Sequence, residues 1–260
     1  MTSTAKPSKR IAKFQREMIA ALPRFPNDKA SLQVVEAMSL TDLMVAFLSW
    51  RLRFVGMRPR KFIQHSSATG DPRWSSLSAN IAAFRAAVVA GNDLTPYLSL
   101  EPRTRGFTPA ARGPKADTWA DKDFLLNVMG FHHFHLGLSM EAAGHIARTN
   151  EVIFAAVDRD CFHAIGLFDH SAFENEDPSV MTPERQRLWQ THEDWIAAGV
   201  SPGAFIISGG FGGLGISTSG HPTAVVMAAM DYVRIINSID PQLDDPAYVE
   251  QTFGTIPVGQ

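Results

Sequence analysis

The sequence predicts an α+β fold with an N-terminal helical layer and a small antiparallel sheet in the C-terminal half, flanked by helices. Three observations carry that prediction. The first hundred residues place apolar side chains at helical spacing between proline and glycine stops. After Asp123 come three short aromatic or β-branched runs bounded by polar turns, and helix-start signals recur at Thr182 and Pro222.

In chain order, Ile11, Phe14, Met18 and Leu22 fall near one face of a first helix that Pro23 and Pro26 end. The stretch from Ser31 to about Gly56 carries Leu43, Phe47 and Trp50, with Thr41 or Asp42 as the cap of a second helix. Ser78 precedes a helix from Ala79 to Ala90, and Gly91 sits where a C-terminal glycine belongs. Asn92 to Trp119 holds four prolines and reads as a loop or lid. The runs 131–138, 151–157 and 161–168 are expected to be strands, the last two joined by a tight turn at Asp158-Arg159-Asp160. Thr182-Pro183-Glu184 opens a helix to about Ala198 with a capping hydroxyl, a proline at N1 and a first-turn carboxylate. Ala204 to Ser208 reads as a further strand, 209–215 as a glycine turn and 216–219 as its return. A long helix from Pro222 to about Ile239 and a short final helix complete the chain.

Of the 260 residues 45% are apolar, ample for a sizeable core. The longest apolar stretches fall well short of the roughly 20 residues that cross a bilayer. The polar, basic N-terminus has no apolar run before a small-residue cleavage site, so the expected location is cytoplasmic. One cysteine, Cys161, permits neither an intrachain disulfide nor a cysteine-cage zinc site and is expected to be a buried thiol. Residues 1–115 hold 18 Lys+Arg against 7 Asp+Glu, and residues 116–260 hold 6 against 19. The expected organisation is one domain over 1–260. Any sub-boundary falls in the 92–119 loop, between a basic helical part (1–100) and an acidic α+β part (120–260). Arg51, Arg53, Arg58, Arg60 and Lys61 would form an electrostatic footprint for RNA or another polyanion, unless the two halves simply attract each other or a protein partner.

Seven of the nine histidines lie between His132 and His192. On an extended strand His133 and His135 share a face and His132 takes the other. His170, at the end of the third run, joins them if the strands pair in sequence order. Imidazole titrates near neutrality and ligates metals, so two chemistries stand open. One is metal-free acid/base catalysis by His133, His135 and His170 with an arginine such as Arg148 at a phosphate. The other uses His133, His135 and His170 as ligands to a divalent metal, with a carboxylate such as Glu141 or Asp169 completing the shell. Ordinary packing explains any single histidine, whereas the cluster places several polar groups needing partners in one small sheet.

The segment from Arg148-Thr149-Asn150-Glu151 through Asp158-Arg159-Asp160 to Leu167-Phe168-Asp169-His170, with the preceding run 131–135, resembles the core sheet of RelE/ParE-like bacterial toxins. It is acidic where those toxins are strongly basic, and its chain is more than twice as long. The resemblance implies messenger-RNA cleavage in a toxin or phage-defence setting, with His170 at the catalytic edge, Arg148 near the phosphate, and His133 and His135 on the preceding strand.

Two further motifs have simpler readings. Gly210-Phe211-Gly212-Gly213-Leu214-Gly215 satisfies a dinucleotide fingerprint but lacks a helix opening within it, so a hairpin turn is expected. Ser219 and His221 precede the long helix and would bind phosphate at its N-terminus, although serine capping explains Ser219 as well. The rival to an enzyme is a non-catalytic binding or regulatory module that uses its oppositely charged faces. Geometry separates the two, because catalysis requires at least two of the histidines in one solvent-reachable cleft beside an arginine.

Overall fold

The structure, a computed structural model, describes residues 7–108, 123–174, 181–199, 216–217 and 220–254. The expected strand at 204–208, the glycine turn at 209–215, Ser219 and part of the 92–119 loop lie outside the described residues. Helices α1 (Lys9–Ala21), α2 (Lys29–Glu36) and α3 (Leu40–Leu52) are followed by strand β1 (Lys61–Gln64). The short α4 (Ser66–Thr69) and α5 (Pro72–Ser76) then lead to α6 (Ser78–Ala90), α7 (Glu101–Thr104) and α8 (Phe124–Met129). Strands β2 (Phe131–His135), β3 (Glu151–Val157) and β4 (Cys161–Asp169) come next, then α9 (Pro183–Ala198), α10 (Thr223–Ile239) and α11 (Pro246–Phe253).

The caps decide where the first helices break. Asp28 accepts from the Ser31 amide and starts α2, while Ser39, two residues before the expected Thr41, accepts from the Asp42 amide and starts α3. The stretch 31–56 is therefore two helices. Gly91 closes α6 at φ 76°, a left-handed position where a Cβ would also run into the Pro59 backbone. Thr182 caps α9 by accepting from the Arg185 amide.

The α+β class holds, and β2, β3 and β4 pair antiparallel as their order predicts. A fourth strand comes from the N-terminal half. β1 lies beside β4 in parallel, Ile63 opposite His163, and the sheet order is β1-β4-β3-β2. Four residues of KFIQ carry too short an alternation to announce a strand, and their partner lies about a hundred residues on.

One sheet face packs on α6, whose Phe84 lies 5.3 Å from Phe134 and 5.4 Å from Phe162 between ring centroids. Full burial of Phe84 makes its truncation to alanine worth about 3–5 kcal/mol. The other face carries Phe131, Val152, Phe154 and Phe168 against Leu188 of α9 and Leu125 of α8. A β-bulge sets which residue faces which way. Phe154 pairs with Gly166 and Ala155 with Ala164, leaving Ile165 as the extra residue, so β4 changes phase there and Phe168 turns toward α9. A third cluster joins α1, α2 and α3 to Ala229 and Val233 of α10, so that helices from both ends of the chain share one core. Among the described residues, no single helix is long and apolar enough to cross a membrane.

Candidate histidine site

Strand alternation divides the three histidines of β2. His132 shares its face with Phe134, is buried, and donates from Nε2 to the Leu52 carbonyl at 2.9 Å, anchoring the end of α3 to the sheet. It is a packed structural histidine. His133 and His135 point to the opposite face. The His133 ring lies 5.7 Å from Phe154 and 4.8 Å from Phe173, and its Nδ1 sits 3.6 Å from the carboxylate of Asp123, the cap of α8.

His170 follows β4 directly, where Asp169 caps a 3-10 turn by accepting from the Ser171 amide. Its Nδ1 donates to the Asn150 carbonyl at 2.8 Å, which leaves the lone pair of the neutral ring on Nε2. The exposed ring stacks on His135 with centroids 5.7 Å apart and planes 25° from parallel, and also touches Phe173. The structure thus brings His133, His135 and His170 to one face and turns His132 away.

Burial separates their chemistry. His135 is 4% exposed, and desolvation, reinforced by the nearby Arg148 charge, pushes its pKa down to about 4. Burial likewise lowers His133 below the usual imidazole range, with Asp123 opposing the shift. Both rings are neutral at physiological pH and cannot serve there as general acids. His170 is the exposed imidazole of the three, and Arg148 is exposed as well.

The alternative metal set is not assembled. The carboxylate of Glu141 is bound to His145 at 2.8 Å, and the set His133, His135, His170 and Glu141 does not bring three ligand atoms within 4.8 Å of one another. The reason is topological, because Glu141 belongs to the hairpin whose Met140 pairs with Ile146, beyond the end of β2.

The secondary phosphate site is also altered. His221 Nδ1 lies 2.7 Å from Ser49 Oγ of α3, so this imidazole fastens the entry of α10 to the helical layer. Ser219 lies outside the described residues. The basic segment is largely engaged inside the fold. Arg53 and Arg60 are buried; Arg53 donates to the Arg105 carbonyl, and Arg60 donates to those of Asp158 and Gly56. Arg58 faces Asp160, and Arg51 lies over the rings of Trp50 and Phe54. Cys161, expected to be buried, is half-exposed at the start of β4.

Sequence reasoning missed a second histidine group. His65, just beyond β1, places Nε2 3.1 Å from Nδ1 of His163, and both rings pack on Trp195 of α9. Burial and the neighbouring His163 lower the pKa of His65. The parallel pairing of β1 makes this contact across 98 residues, and no local pattern encodes it. Phe173, forty residues beyond His133, was missed for the same reason, whereas Asp123, ten residues before it, reaches the ring because Gly130, at φ 72°, turns the chain from α8 into β2. Comparisons of the chain with protein-family models, with curated proteins and with solved structures find no match.

Proposed function

We propose that the chain is a histidine-dependent hydrolase acting on the phosphodiester backbone of RNA, with His170 as the group that meets the substrate. The observation that carries this reading is the stack of exposed His170 on buried, neutral His135 beside Arg148. With its Nδ1 proton committed to the Asn150 carbonyl, His170 holds a lone pair on Nε2. That nitrogen takes the proton of a 2′-hydroxyl as its oxygen attacks the adjacent phosphorus. The P–O bond to the 5′-oxygen breaks, and the leaving oxygen takes a proton from water. Arg148 offsets the charge gathering on the phosphoryl oxygens. His135 and His133 are positioning residues that fix the ring from behind. The resemblance to RelE/ParE-like toxins supports messenger RNA as the substrate and a toxin or phage-defence setting.

A second reading, a non-catalytic RNA-binding or regulatory module, is favoured by the burial of His135 and the half-burial of His133, which leave one exposed imidazole where acid/base cleavage commonly uses two. Incubation of the purified protein with RNA, with and without chelator, separates the two. Cleavage that survives chelator and disappears in His170→Ala supports the hydrolase. RNA bound but left intact establishes the binding module, and cleavage lost with chelator replaces the mechanism by a metal-dependent one.

A further inference from the structure

The β3–β4 turn gathers three different metal-ligating groups at the end of β4 opposite His170, roughly 25 Å along the strand at about 3.3 Å per residue. Asp158, Cys161 and His163 bring a carboxylate oxygen, a thiol sulfur and a ring nitrogen within 4.8 Å of one another, and His163 Nε2 lies 3.5 Å from Asp158 Oδ2. We infer that these residues form a zinc site, in which Asp158 Oδ2, Cys161 Sγ and His163 Nε2 bind the ion and His65 orients the His163 ring.

The geometry and the donor chemistry of the turn support this. A four-coordinate zinc ion at about 2.0–2.3 Å from its donors holds them roughly 3.3–3.8 Å apart, so the His163–Asp158 spacing already fits and rotation of the half-exposed Cys161 side chain closes the remainder. Asp158 uses its other oxygen, Oδ1, to accept from the Asp160 and Cys161 amides, which fixes the carboxylate while leaving Oδ2 to the ion. His163 Nδ1 is 3.1 Å from His65 Nε2, so in the metal-bound tautomer Nδ1–H donates to His65 and leaves the Nε2 lone pair to the ion, the arrangement that second-layer partners impose on zinc-bound histidines. Carboxylate plus thiolate balances the charge of a divalent ion, and the thiol proton leaves to solvent on binding. The imidazole and sulfur donors select zinc over magnesium or calcium. With Asp158 59% exposed, water completes the fourth position.

The test is titration of the full chain, first stripped with chelator, using Co²⁺ as a spectroscopic probe and then Zn²⁺ as competitor. One equivalent of Co²⁺ should produce a thiolate-to-metal charge-transfer band and four-coordinate visible bands, and zinc should displace it. Cys161→Ser should abolish the charge-transfer band. His163→Gln should weaken binding at least tenfold, and His65→Ala about 10–100-fold with stoichiometry kept. His170→Ala should bind as the unaltered chain does. Because Cys161 is the sole cysteine, one equivalent of zinc should also protect the unaltered protein from alkylation at a single site, a readout independent of whether the variants fold. Absence of a one-equivalent complex, a charge-transfer band persisting in Cys161→Ser, unchanged affinity in His163→Gln, or alkylation indifferent to zinc would each overturn the assignment.

Discussion

His170 stacks on His135 at 5.7 Å, so that an exposed imidazole rests on one kept neutral by burial. Removing the outer ring discards one hydrogen bond and one stacking contact at the surface. His170→Ala is therefore expected to change stability by about 1 kcal/mol or less while lowering RNA cleavage at least 100-fold. Parallel urea unfolding and cleavage assays check this. An unfolded variant contradicts the stability expectation, and a folded one that cleaves normally removes His170 from the mechanism.

The buried ring should make the protein acid-sensitive. The folded pKa of His135, about 4, lies below its unfolded value, about 6.5. Above pH 6.5 the ring is neutral in both states. As pH falls toward 4 the unfolded chain binds a proton that the folded chain refuses, and stability is lost, by up to roughly 3 kcal/mol from this residue. His132 and His133 act in the same direction. Urea midpoints between pH 7 and 4 should fall less steeply for His135→Gln than for the unaltered chain; identical slopes would contradict the assignment.

A charge network ties three elements together. Asp71, with its side chain 7% exposed, accepts from both Nε and Nη2 of Arg73, which also reaches Glu184 at 3.2 Å, and Glu184 pairs with Arg187 at 2.7 Å. Both arginines donate to the Leu167 carbonyl of β4, and Arg187 covers the Phe168 ring. Removing the one well-buried carboxylate leaves the guanidiniums without their central acceptor. Asp71→Ala should cost about 2–3 kcal/mol in denaturant unfolding, and Asp71→Asn less. A change below 0.5 kcal/mol would show that the network is solvated.

Arg60 offers a test of whether the basic segment serves structure. Its guanidinium spans two backbone carbonyls that an ammonium cannot reach in the same geometry. Arg60→Lys should destabilise by about 1–2 kcal/mol despite keeping the charge, whereas Lys61→Ala, at an exposed position, should stay within about 0.5 kcal/mol. Equal effects would return Arg60 to the surface.

Gly137 follows β2 at a position where a Cβ would run into the Ala147 carbonyl. Gly137→Ala should therefore displace the 138–147 hairpin and cost more than about 2 kcal/mol by calorimetry. A neutral substitution would mean that the hairpin shifts freely.

Local chemistry made much of this fold legible. Thr182 and Gly91 mark helix ends through backbone groups one turn away, and the acidic turn at Asp158 joins adjacent strands, so both signals lie within a few residues. The shared face of His133 and His135 follows from strand alternation alone. Missing were the long-range partners. The bulge at Ile165, the pairing of β1 with β4, and the arrival of His65 beside His163 and of Phe173 beside His133 depend on tertiary packing that no window of sequence contains. The arginines of 51–60 look alike as charges, and only the fold separates Arg53 and Arg60, turned onto carbonyls, from Lys61 at the surface.

The parallel seating of β1 also governs how the chain is born. Lys61–Gln64 emerges from the ribosome about a hundred residues before Cys161–Ala164, and α3 waits longer still for Ala229 and Val233. Through that interval the nascent N-terminal part carries an unpaired strand and an apolar helix face, a long closure that slows folding and invites aggregation. A chain truncated between α6 and β4 would hold the same exposed surfaces permanently, so its solubility should collapse while that of the full-length chain does not.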